Sequence, residues 1–132
     1  MVLVDTSVWI SLLNNENNRS VEKFKFILAN GIVFGLNHLI YLELLNGSKS
    51  IDKYYRMKEY LDAMKFFDLK FGRESYAKAS LLYLNCRKSG ITVRSTIDIL
   101  IAQTAIENDL YLLHNDRDFE FVGQVVKELK FY

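Results

Sequence analysis

Val2-Leu3-Val4-Asp5-Thr6-Ser7 is an apolar run that stops at a carboxylate followed by two hydroxyls. Three consecutive apolar residues suit a strand buried on both faces of a parallel sheet. Thr6 and Ser7 are good N-caps for the next segment, Val8 to Leu13. Asp5 therefore stands at the C-terminal end of what reads as a central strand. In open α/β sheets that edge is where ligands bind. The competing reading is that Asp5 only caps a helix, and the rest of the chain has to decide between the two.

Outward from this strand, short β-rich runs alternate with longer helical patterns, which predicts βαβ units and a parallel sheet. Val8 to Leu13 reads as a short helix ending in Asn14-Asn15-Glu16-Asn17-Asn18. Ser20 can cap a second helix, with Val21, Phe24, Ile27 and Leu28 at helical spacing and Asn30-Gly31 at its end. Ile32 to Leu36 reads as a second strand. Asn37 caps a helix over His38 to Asn46, stopped by Gly47. Ser50 to Lys65 is a further helix, and Phe66 to Leu69 a short third strand. Glu74 to Ser89 is helical and closed by Gly90. Ile91 to Arg94 is extended and Thr96 to Asn108 helical. Tyr111 to Leu113 is a fourth strand and Val125 to Phe131 a weaker fifth at an edge. These 132 residues, with no repeat and no linker, predict one three-layer α/β domain.

Half the residues are apolar and a quarter charged, which fits an ordinary globular protein. No apolar run approaches the roughly 18 residues of a membrane span. The first residues lack the basic and small-residue signals of a secretory leader. Cys86 is the single cysteine, so no internal disulfide forms, which fits a reducing cytoplasm. A net charge of +1 does not advertise a nucleic-acid binder, yet it hides two basic clusters. One is Lys49, Lys53, Arg56 and Lys58 against Asp52; the other is Arg87, Lys88 and Arg94. Taken alone, each cluster reads first as a solvated face.

Four acids do not fall where solvated acids belong. Asp5 is the first. Glu43 sits in Leu39-Ile40-Tyr41-Leu42-Glu43-Leu44-Leu45, where a carboxylate must find a cation, hydrogen bonds or a proton. Asp98 shares its helix face with Ile101, Ala102 and Ala105, although Ser95-Thr96-Ile97-Asp98 also matches a capping box. Asp116 follows the strand Tyr111 to Leu113, with Asp118 a competitor for the same role and helix capping the alternative for either. Converging carboxylates repel one another and coexist when a divalent cation neutralises them. An all-oxygen set points to Mg²⁺ or Mn²⁺ rather than Zn²⁺, and such ions hold phosphate and activate water. Other chemistries fit less well. His38 and His114 lack metal-ligand spacing, and there is no G-x-S-x-G, G-x-G-x-x-G or P-loop motif. A haloacid-dehalogenase-type phosphatase wants Asp where Ser7 stands.

Asp5-Thr6-Ser7 after a strand, Glu43 in Glu-Leu-Leu-x-Gly, Ile97-Asp98-x-Leu100-Ile101-Ala102 and Asn115-Asp116-x-Asp118-Phe119 occur in this order across the chain. The ordered set resembles the PIN-domain ribonucleases and, at this length, the VapC-type toxins of bacterial toxin–antitoxin pairs. The resemblance implies a parallel sheet of strand order 3-2-1-4-5 between helices. It implies a catalytic, metal-binding quartet of Asp5, Glu43, Asp98 and Asp116, with Asp118 as an accessory and Thr6 or Ser7 in support. It implies hydrolysis of looped or structured transfer or ribosomal RNA by metal-activated water, a homodimer and a small cognate VapB-type antitoxin. Arg87, Lys88 and Arg94 are candidate contacts to flanking phosphates. Tyr54 and Tyr55 either stack on bases or pack in the core. Leu36-Asn37 departs from the Ser, Thr or Pro of many relatives and loosens the expected placement of the Glu43 helix. Two alternatives remain open: another Mg²⁺-dependent phosphohydrolase, or a non-catalytic binding module on the same fold.

Overall fold

The structure is a computed structural model that describes residues 1–132. The elements run β1 (Val2–Val4), α1 (Thr6–Leu13), α2 (Arg19–Ala29), β2 (Phe34–Gly35), α3 (His38–Asn46), α4 (Ile51–Asp62), α5 (Arg73–Lys88), α6 (Thr96–Glu107), β3 (Tyr111–Leu113), α7 (Arg117–Val125) and β4 (Lys130–Phe131). All strand pairs are parallel, in the order β2-β1-β3-β4. No helix is long and apolar enough to cross a membrane.

The central pair sets the frame. Val2, Leu3 and Val4 face Tyr111, Leu112 and Leu113 in register. Val2, Leu3 and Val4 are all buried, as a strand covered on both faces requires. The α1, α2 and α3 helices pack together, α4 leans on α3, and α5 and α7 pack on α6, which also touches α3. Trp9 of α1 donates its indole N–H to the Val4 carbonyl at 3.1 Å. Its ring meets Phe24 edge-on at 4.8 Å, and Phe24 meets Phe34 at 5.3 Å. This aromatic chain holds α1 and α2 against the β1/β2 side of the sheet.

Two of the expected strands are corrected. Phe66–Leu69 contributes one bridge, Phe66 to Leu36, on the outer side of β2. Counted as an extended segment, Phe66 keeps the expected 3-2-1-4-5 order. The expected strand over Val125–Phe131 shrinks to Lys130–Phe131, because Val125 closes a helix that begins at Arg117. The cause is local. Asp116 caps that helix, Asp118 and Glu120 place negative charge in its first turn, and Phe119 and Val122 supply a buried stripe. The cap of α1 is also corrected: it is Asp5 itself, not Thr6 or Ser7.

Leu36-Asn37 turns out to fasten α3. Asn37 is buried, accepts a hydrogen bond from the Ile40 N–H at 2.9 Å, and donates to Thr104 Oγ1 of α6 at 3.1 Å. The helix carrying Glu43 is thus capped and tied to the helix carrying Asp98.

Beside the Leu36–Phe66 bridge, Gly35 leaves no room for a side chain. A Cβ there would lie 2.3 Å from the Lys65 carbonyl oxygen and 2.8 Å from Phe67 Cε2. Backbone cannot yield as a side chain does, so Gly35→Ala should cost about 1–3 kcal/mol. Urea unfolding measures this; a variant as stable as the wild type would show that the edge segment 65–67 is free to move away.

Candidate active site

Asp5 N–H donates to the Leu113 carbonyl at 2.9 Å, so Asp5 leaves the sheet level with the last residue of β3. Asp116 follows three residues beyond that point. Two acids therefore share the C-terminal edge of two adjacent parallel strands. Each caps a helix there. Ser7 donates its N–H (3.0 Å) and its hydroxyl to Asp5, both to Oδ2. Asp118 N–H donates to Asp116 Oδ1 at 2.9 Å. In each case the second carboxylate oxygen takes no part in the cap. Capping and ligation, which compete as readings of the sequence, occupy different oxygens of the same group.

The Ser7 hydroxyl also accepts the Asn115 N–H at 2.9 Å, which joins the turn after β3 to the start of α1. Thr6 donates its hydroxyl to Glu43 Oε2, bringing the second turn of α3 to the same edge. Thr6 and Ser7 are thus positioning residues, one for Glu43 and the other for Asp5.

Asp98 is placed differently. Ser95 is the N-cap of α6 by its backbone, but its side chain makes no capping bond, so the hydroxyl half of the expected capping box is missing. The Asp98 carboxyl is pushed up from 3.8 to about 7, first by burial and then by the charges of Asp5, Asp116, Glu43 and Asp118; no hydrogen bond counters them. Asp98 therefore stands within electrostatic range of the other acids at this edge. Burial also raises Asp5, aided by Glu43 and opposed by the bonds from Ser7.

Asp118 is buried and fully engaged. Arg94 Nε and Nη2 grip its two oxygens at 3.1 Å each. This bidentate fork engages both Asp118 oxygens with a cation that the protein itself supplies. Asp118 holds the Arg94 guanidinium up, with Asp116 and Asp98 adding to the effect, so Arg94 stands over the acidic edge. Sequence alone missed this pair because 24 residues separate its members. Arg87 and Lys88 instead form the exposed last turn of α5, where positive charge suits the helix end. Lys49 and Lys53 line a cleft of about 510 Å³ that includes Glu43, Ile10, Leu13 and Met57. Tyr54 packs against the core, while Tyr55 is exposed and meets it edge-on at 5.3 Å.

The donor set suits a hard divalent cation: carboxylate oxygens, no thiolate, and mutual repulsion that such an ion would relieve. The residues that would hold it are Asp5, Glu43, Asp98 and Asp116. The set is not closed, since no three His, Cys, Asp or Glu side chains stand close enough to form a ready cage.

The PIN domain family model matches residues 2–124. The chain belongs to the PIN-domain family. Ribonuclease VapC11 of Mycobacterium tuberculosis is 25% identical over 126 residues, covering 95% of this chain and 93% of the relative. VapC ribonuclease Mb1587 of Mycobacterium bovis matches to the same extent. Among solved structures, VapBC2 of Rickettsia felis bound to a promoter DNA fragment superposes with a TM-score of 0.74 at 17% identity, covering all of this chain and 98% of the other. VapBC-1 of nontypeable Haemophilus influenzae gives 0.74 at 19%, covering 100% and 97%. These likenesses establish that the PIN fold extends over the whole chain.

A PIN-domain acid raised to about 7 has a measurable signature. The folded protein binds the Asp98 proton more tightly than the unfolded chain does. The contribution of this group to stability is therefore fully present below about pH 4 and is lost as pH rises through 7. Asp98→Asn removes that charge. In EDTA at about pH 8 the variant should be more stable than the wild type by roughly 1 kcal/mol, a figure reduced for solvent screening at this half-exposed group. The gain should vanish near pH 4. Urea unfolding at both pH values reads it, and a variant destabilised at pH 8 would contradict the placement of Asp98 among other acids.

Proposed function

We propose that this protein is a metal-dependent endoribonuclease, the toxin of a type II toxin–antitoxin pair. The ribonuclease reading is supported by membership of the PIN family and by VapC relatives matched over almost their full length. The single observation that carries the chemistry is the gathering of Asp5, Glu43, Asp98 and Asp116 at one sheet edge, each with an oxygen left over from its structural bonds. Mg²⁺ or Mn²⁺, when bound, would neutralise the scissile phosphate and acidify a water.

The protein's own groups do the rest. Asp5 and Asp116 are fixed by their helix caps, so each presents one oxygen in a set direction. Thr6 orients Glu43 by its hydroxyl. Glu43 or Asp98 would position the attacking water or take its proton. Arg94, anchored by Asp118, offers fixed positive charge to the phosphate as its negative charge grows. In-line attack by water leaves 5′-phosphate and 3′-hydroxyl ends. The substrate we propose is looped or structured transfer or ribosomal RNA in the cytoplasm.

The proposed partners are a VapB-type antitoxin and a second copy of this chain. VapBC assemblies among the structural neighbours support the first. So do the half-exposed Ile10 and Leu13, which line the cleft containing Glu43.

Purified protein, freed of any antitoxin, should cut RNA with Mg²⁺ or Mn²⁺ and stop in EDTA. Asp5→Asn and Asp98→Asn should fold yet lose more than about 100-fold in rate. Thr6→Val, which frees Glu43 without removing it, should lose about 10- to 100-fold and recover in part at high Mg²⁺. Wild-type rates in the two Asn variants would sink the reading. Hydrolysis of a small phosphate ester but not RNA would favour a different phosphohydrolase.

A further inference from the structure

A cleft of about 570 Å³ opens beside Asp116 and has no part in the chemistry described so far. Its rim carries Arg19 and Lys23 from α2 and Arg117 from α7. Arg19 and Arg117 are exposed, and neither belongs to any of the four ion pairs of the protein. Lys23 meets the Tyr132 carbonyl and stands 5.9 Å from the centre of the Tyr132 ring. Against these three cations the cleft holds Glu120 and Asp116, and Asp116 belongs to the acidic centre.

The far wall is aromatic. Phe131 and His114 meet edge-on at 4.8 Å, and Tyr132 continues the wall. Phe131 lies so close to α7 that a Cβ on Gly123 would come within 2.4 Å of its ring. The wall is therefore packed in place.

We infer that this cleft seats one unpaired nucleotide of the RNA strand next to the scissile phosphate. Arg19, Lys23 and Arg117 hold its phosphate, and its base lies against Phe131 and Tyr132. The inference rests on the nuclease reading above and adds to it the path of the strand. An acidic centre repels a polyanion, so affinity must come from cations close by. Here they lie in the cleft that Asp116 shares. The volume falls in the range of sites for single small ligands. Aromatic faces beside guanidinium groups suit an unstacked base, whereas a paired base has no free face to offer.

The test uses a short single-stranded oligoribonucleotide with Asp98→Asn protein in Mg²⁺, so that the strand stays intact. Adding Arg19→Ala and Arg117→Ala should weaken binding about tenfold. It should also flatten the dependence of log K on log salt by roughly 0.7, the one phosphate that the cleft no longer neutralises. Phe131→Leu should lower affinity about fivefold with an unchanged salt slope. In the cleaving protein the double arginine variant should raise KM and leave kcat within about twofold, the mark of lost uniform binding. A wild-type chain that cuts RNA while the double variant keeps its affinity and salt slope overturns the cleft alone. A wild-type chain that neither binds nor cuts RNA overturns the nuclease reading, and the cleft with it. If a poly-glutamate peptide senses the two arginines and the oligoribonucleotide does not, the cleft is a protein-docking surface and the inference fails.

Discussion

The parallel pairing of β1 with β3 is the constraint on which the molecule depends. Three residues on each strand lie in register, Val4 against Leu113. Parallel strands run the same way, so whatever follows each one emerges at the same edge. Asp5 and the Asn115–Asp116 turn are the immediate sequels of these strands. No side-chain preference has to bring them together, because the backbone ladder does so. The aromatic packing of Trp9 and Phe24 and the burial of Leu112 and Leu113 serve to keep that ladder closed.

Around this edge, structure and chemistry share atoms. A buried carboxylate is costly unless it is satisfied, and an N-cap satisfies it through one oxygen. Asp5 and Asp116 both use that device. Glu43 uses a neighbour's hydroxyl to the same end. Asp98 has no such bond, and its raised pKa records first its burial and then the charge of the others. Asp118, by contrast, spends both oxygens on Arg94, which turns a fifth acid into the mount of a cation.

The sequence carries the parts of this design that are local. An apolar triplet ending in Asp, a capped helix with one acid among leucines, and a second strand followed by Asn-Asp are legible because each lies within a few residues. The βαβ alternation made the parallel sheet legible, whereas the strand order came only from the family resemblance. The last strand was misplaced because Val125 and Val126 favour a strand, while the cap that starts α7 lies nine residues earlier. The Arg94–Asp118 fork and the Arg19–Lys23–Arg117 rim were not legible at all. Their members meet only once α2, α6 and α7 are docked, and nothing in their local surroundings marks them. Asp5 as both cap and candidate ligand was legible only as an either-or, since which oxygen does what is a matter of orientation.

The bond between Ser7 and Asn115 spans 108 residues. Ribosomes deliver a chain from its N-terminus, and domains fold as units once enough of them has emerged. Asp5 and Glu43 are thus made early and wait for Asp116, whose strand and turn arrive late. A growing or truncated chain without β3 has the Thr6–Glu43 end of the centre but not its opposite side. Assembly of the acidic edge is therefore a report that the sheet has closed, and a partly made chain carries no complete centre into its surroundings.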